Sequence, residues 1–90
     1  MRYLRIVITE DNTVRDVLQS LQDMGYKFKT PDEEGYTGTI ATENIKTVLV
    51  DGDEVKFFDE EVNPDPEKFT DMSLIELIKL KVKVWANISL

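Results

Sequence analysis

The chain has no cysteine and no histidine among its 90 residues. Without cysteine there is no disulfide framework, no thiolate zinc site and no thiol nucleophile. Without histidine, the commonest general base, the usual imidazole metal ligand and the physiological pH switch are all missing. No apolar run approaches the length that spans a bilayer. The N-terminal "MRYLRIVITED" lacks the apolar stretch and small-residue cleavage site of a secretory leader. These absences point to a cytoplasmic protein. Any enzyme here would have to work with carboxylates, lysine, tyrosine or hydroxyls, and we expect a non-enzymatic protein with no cofactor.

Bases are scarce in the middle of the chain. The net charge is −7, but residues 32–67 hold twelve acids against two bases, Lys46 and Lys56. The flanking segments are close to neutral. Such a chain has no general electrostatic footprint for nucleic acid, and the natural counterpart is a basic protein surface. Ninety residues suffice for one modest core, so residues 1–90 are expected to form a single domain. Valine, isoleucine, leucine and phenylalanine recur in periodic blocks, unlike the composition of disordered chains.

Those blocks predict the elements. "RYLRIVIT" (2–9) alternates as a strand, with Leu4, Ile6 and Ile8 on one face and Tyr3, Arg5 and Val7 on the other. A helix follows, capped by Asn12 or Thr13, with Val14, Val17, Leu18, Leu21 and Met24 on one stripe. Gly25 is placed to end it in the left-handed conformation. "YTGTIAT" (36–42) is predicted as a strand. "ENIKTVLVDGDEVKFFDEE" reads as a hairpin. A two-residue loop at Gly52-Asp53 pairs Val50 with Val55, Val48 with Phe57 and Lys46 with Asp59. Moving the loop to Asp51-Gly52 would break the continuous apolar face. "NPDPEK" is a linker. A capping box at Ser73 and Glu76 starts a second helix with a broad apolar surface. From Leu80 the period changes to two, and Leu80, Val82, Val84, Ala86, Ile88 and Leu90 predict a C-terminal strand. The expected fold is α+β, in the order β-α-β-β-β-α-β. It is a ferredoxin-like variant with one small antiparallel or mixed sheet and two helices on one face.

The hairpin carries six carboxylates in eleven residues: Asp51, Asp53, Glu54, Asp59, Glu60 and Glu61. A calcium loop starting at Asp51 would need an oxygen ligand, glycine and glutamate at positions 5, 6 and 12. Val55, Lys56 and Val62 stand there instead, so no metal is expected. Asp59, Glu60 and Glu61 alternate sides of an extended chain. A glycosidase pair must face each other across a cleft, and ninety residues with two small helices offer little wall for one. Two readings remain for the six acids. They are a phosphate-like surface that meets a basic partner, or they keep a small sheet apart from other sheets. A second candidate face follows if the first and last strands are neighbours. It holds Tyr3, Arg5, Lys81, Lys83 and Trp85, and would suit a nucleotide-like anion or a contact between copies of the chain.

"MGYKF" closing the first helix, "VLVDGDEVKFFDEE" as an acidic hairpin and "FTDMSLIELIKL" as a late helix resemble small accessory proteins of phages of Gram-positive bacteria. The resemblance describes an architecture, and "KVKVWANISL" falls outside it. It implies a product made in an infected cell, in a class where non-enzymatic inhibition of host proteins is common, including anti-CRISPR and other counter-defence roles. It brings no catalytic residue with it. The leading expectation is therefore a phage-type protein that binds a host factor through its acidic hairpin. The alternatives are an oligomer that sequesters a small anionic nucleotide, and a structural or assembly module. We expect a homo-oligomer with Trp85 at or near the contact, and no direct nucleic acid or membrane partner.

Overall fold

The computed structural model describes residues 2–89. Strand β1 spans Arg2–Val7 and buries Leu4 and Ile6, as the alternation requires. Helix α1 spans Val14–Asp23. The Thr13 hydroxyl accepts the Asp16 N–H at 3.3 Å and so satisfies one free donor of the first turn. At the other end Tyr26 N–H reaches the Leu21 carbonyl and Gly25 N–H reaches the Gln22 carbonyl. This is the pair of bonds that closes a helix around a left-handed residue, and Gly25 takes it at φ +102°.

Strand β2, Thr47–Gly52, and strand β3, Glu54–Phe58, form the hairpin in the expected register. Val50 pairs with Val55 and Val48 with Phe57. Gly52 stands first in the loop at φ +71°, where a two-residue hairpin loop favours glycine. Lys46 donates its N–H to the Phe58 carbonyl, one step beyond the ladder. A two-residue strand β4, Thr70–Asp71, and helix α2, Leu74–Ser89, complete the chain.

The sheet order is β3-β2-β1-β4, with β1–β2 and β2–β3 antiparallel and β1–β4 parallel. Leu4, Ile6, Val48 and Val50 from the sheet, Val17, Leu18 and Leu21 from α1, and Leu77 from α2 make one core. Both helices therefore lie on the same face. They start together, where Leu74 N–H donates to Asn12 Oδ1, and remain adjacent to the end of α1, where the Trp85 indole N–H donates to the Asp23 carbonyl. They run side by side in the same direction.

The fold departs from the expected order in three places. Residues 36–41 form no strand, and Thr42–Asn44 form a 3-10 turn. Both sides of β2 are already paired, and Tyr36 and Phe28 pack their rings on Phe57 instead. Second, the expected C-terminal strand is helix α2. Leu80, Val82 and Val84 alternate, but Leu77, Leu80 and Val84 also follow the i, i+3, i+7 spacing of a helix. No glycine or proline interrupts the helix that Ser73 and Glu76 begin. The inward positions expected at Ile88 and Leu90 lie outside the described side chains. Third, the place beside β1 goes to β4, so the ferredoxin-like arrangement is replaced by β1-α1-β2-β3-β4-α2.

Between β3 and β4 the chain crosses the sheet face opposite the helices. Thr47, fully buried, donates its hydroxyl to the Glu60 carbonyl at 2.8 Å and accepts the Val62 N–H at 3.2 Å. This strap explains why Leu49, which faces away from the helices, is also buried.

Candidate functional site

The six hairpin carboxylates do not form one cluster. Asp51, Asp53 and Glu54 lie at the loop, and Asp59, Glu60 and Glu61 lie beyond the other end of β3. The five residue steps from Glu54 to Asp59 separate the groups by about 17 Å. The loop group is largely neutralised. Lys56 Nζ lies 3.1 Å from Asp51 and 3.8 Å from Glu54, and Lys68 Nζ is 3.8 Å from Asp51. The hydrogen bond that the Lys56 ammonium donates to Asp51 is the main reason it is held above its usual pKa.

Glu61 is committed to the fold. The Arg5 side chain is only 12% exposed, and its Nη2 contacts Glu61 at 2.8 Å and Asn63 at 3.1 Å. Nη1 reaches Asp71 at 3.0 Å, and Nε donates to the Val62 carbonyl at 2.7 Å. The hydrogen bond to Asp71 raises the Arg5 pKa, against the opposing effect of burial. Arg5 thus ties β1 to the strap and to β4.

The expected basic and aromatic face is divided between two sides of the molecule. Tyr3 and Arg5 are under the strap, with Phe69 edge-on to Tyr3 at 5.8 Å and Lys68 Nζ 4.7 Å from the Tyr3 ring. Lys81, Lys83 and Trp85 lie on α2. There Lys81 sits 5.1 Å over the Trp85 ring and 3.6 Å from Asp23. Trp85 therefore packs beside a helix end. Its indole N–H satisfies a carbonyl of the last turn of α1.

The topology assembles a different acidic surface. β1 and β3 run in the same direction, so their C-terminal ends meet at one end of the sheet, beside the start of β2. Ile8 N–H donates to the Lys46 carbonyl there. Glu10 and Asp11 follow β1, Glu43 precedes β2, and Asp59 and Glu60 follow β3. All five are exposed. Among the described residues no ion pair reaches any of them. Lys46 supplies an exposed opposite charge nearby. Glu10, Asp11 and Glu43 are remote from the hairpin in sequence. The signal that joins them is strand direction, not spacing.

This end offers charge and hydrogen-bond acceptors. Among the described residues no group of three acidic side chains is close enough together to hold a metal ion. At the opposite end an open groove of about 470 Å³ brings Arg2, Tyr26 and Lys27 near Asp53. Searches among protein-family models, curated proteins and solved structures find no match to this chain.

Proposed function

We propose that this chain is a small non-enzymatic binding protein that presents the acidic end of its sheet to a basic surface on a partner protein. One observation carries the proposal. Three separate segments deliver five exposed carboxylates, with no ion pair among the described residues, to one end of the sheet, whereas the hairpin loop acids are largely paired. Unpaired surface charge of one sign raises the encounter rate with a complementary surface. The partner-facing residues are therefore Asp59 and Glu60 of the original six, joined by Glu10, Asp11 and Glu43. Asp51, Glu54 and Glu61 are engaged within the chain.

The likeness of the hairpin and late helix to phage accessory proteins supports a particular form of this reading. In that form the partner is a host factor, the setting is the cytoplasm of an infected cell, and the activity is inhibition, as in counter-defence proteins of the anti-CRISPR kind. No observation favours nucleotide sequestration on Tyr3, Arg5, Lys81, Lys83 and Trp85, because these side chains share no common face.

The test compares two variants as baits in host-cell lysate. Glu10→Gln/Asp11→Asn/Asp59→Asn/Glu60→Gln should lose the captured partner. Asp53→Asn/Glu54→Gln, at the loop end, should keep it. Equal capture by the two variants would refute the assignment.

A further inference from the structure

Helix α2 is apolar on two sides. Leu77 and Leu80 turn to the core. On the outer side Ile75 is 67% exposed, Ile78 40%, Val82 56% and Trp85 46%. Their spacing of 3, 4 and 3 residues is that of a helix-packing seam. A contiguous apolar stripe of this kind on a small domain marks a contact surface.

The charges beside the stripe differ on its two flanks. On one side lies the edge of α1 with Asp16 and Asp23, seven residues apart and so on one line of the helix. Asp23 is the residue that Lys81 and Trp85 touch, which fixes this edge as the one next to α2. On the other side, by helical rotation from the stripe, are the exposed Lys79 and Lys83. The helix layer therefore reads acid, apolar, base across its width. A twofold rotation about an axis parallel to α2 brings the stripe of one copy onto the same stripe of another, with the flanks exchanged. Asp16 of each copy then faces Lys79 of the other, while Asp23, already held by Lys81 of its own chain, lies opposite Lys83 as the lesser contact. The heights agree. Asn12 is level with Leu74 and Asp23 with Trp85, so Asp16 lies within about one residue of Lys79, and Asp23 within about two of Lys83. The antiparallel rotation would set acid against acid and base against base.

We propose that this helix layer is the interface of a parallel, twofold-symmetric homodimer, with Ile75, Ile78 and Val82 at its centre. With the axis over the stripe the two layers overlap by about one helix and its flanks, roughly 12 by 24 Å. That is below the about 500 Å² per partner of a stable interface, so the dimer is weak and guided by its charges. The interface is separate from the acidic sheet end, and either assignment can fail alone.

Sedimentation equilibrium on the full chain, from micromolar to millimolar, tests the proposal. The parent should dimerise. Val82→Glu should be monomeric at every concentration, with the melt of the parent at dilutions where the parent is itself monomeric, since Val82 faces solvent in the single copy. Lys79→Glu should weaken the dimer about tenfold, and adding Asp16→Lys to it should restore the parent constant. A parent that stays monomeric overturns the proposal. So does failure of the charge swap to restore association while Lys79→Glu weakens it, which would exclude the parallel pairing. A monomeric parent that binds vesicles of anionic phospholipid, and loses this with Val82→Glu, would assign the stripe to a lipid surface instead.

Discussion

Arg5→Met should loosen the strap from the sheet. The guanidinium makes contacts that differ in worth. Glu61 and Asp71 are 62% and 75% exposed, so water screens both ion pairs, and each contributes about 0.5 kcal/mol. The bond to the Val62 carbonyl is short and partly buried. Its loss leaves an acceptor poorly satisfied, at about 1–2 kcal/mol. Methionine keeps much of the apolar stem and so limits the packing loss. The expected destabilisation is about 2–3 kcal/mol, which lowers the melting temperature of a chain this size by 10 °C or more. Urea denaturation followed by circular dichroism measures it. Hydrogen exchange should show the loss concentrated at residues 60–71, the segment Arg5 holds. Arg5→Lys should recover less than half, because an ammonium cannot bond three directions in one plane. An Arg5→Met variant within 0.5 kcal/mol of the parent, with unchanged exchange in the strap, would refute this account of Arg5.

Thr47→Val keeps the shape of the side chain but removes the hydroxyl that bridges Glu60 and Val62, and should cost about 2–4 kcal/mol by chemical denaturation. Gly25→Ala meets no neighbouring atom, so only backbone strain at φ +102° opposes it, and urea melts should show a loss of about 1–2 kcal/mol. Lys56 has its folded pKa raised above 10.5 by Asp51. A raised base stabilises the fold below its unfolded pKa and loses that effect as pH rises through the folded one. The difference in urea midpoint between the parent and Lys56→Met should therefore be flat from pH 6 to about 9 and shrink above about 10.5.

Local signals were sufficient for α1 and the hairpin. Thr13 and Gly25 mark the helix ends, and the Gly52-Asp53 loop leaves one register that keeps Val48, Val50, Val55 and Phe57 on a common face. The C-terminal helix was hidden because Leu80, Val82 and Val84 satisfy a strand period while Leu77, Leu80 and Val84 satisfy a helix period. Periodicity alone cannot separate the two over so short a run. β4 is two residues long and polar, so nothing in its composition announces a strand. The hairpin acids were visible in the sequence, but their grouping was not. A strand of five residues carries two adjacent acidic runs to opposite ends of a sheet. The same geometry brings Glu10, Asp11 and Glu43 to Asp59 and Glu60 from distant positions. Arg5 looked like an exposed base, since the strap that covers it is specified by contacts far apart in sequence.

The central claim is that the acidic sheet end meets a basic partner. Its most direct test is the salt dependence of the association rate with the captured partner, for the parent and for Glu10→Gln/Asp11→Asn/Asp59→Asn/Glu60→Gln. The account predicts that the parent rate falls steeply between about 20 and 300 mM salt, that the variant is about tenfold slower at low salt with a nearly flat dependence, and that the two converge at high salt. Equal rates at low salt, or parallel salt slopes, would contradict it.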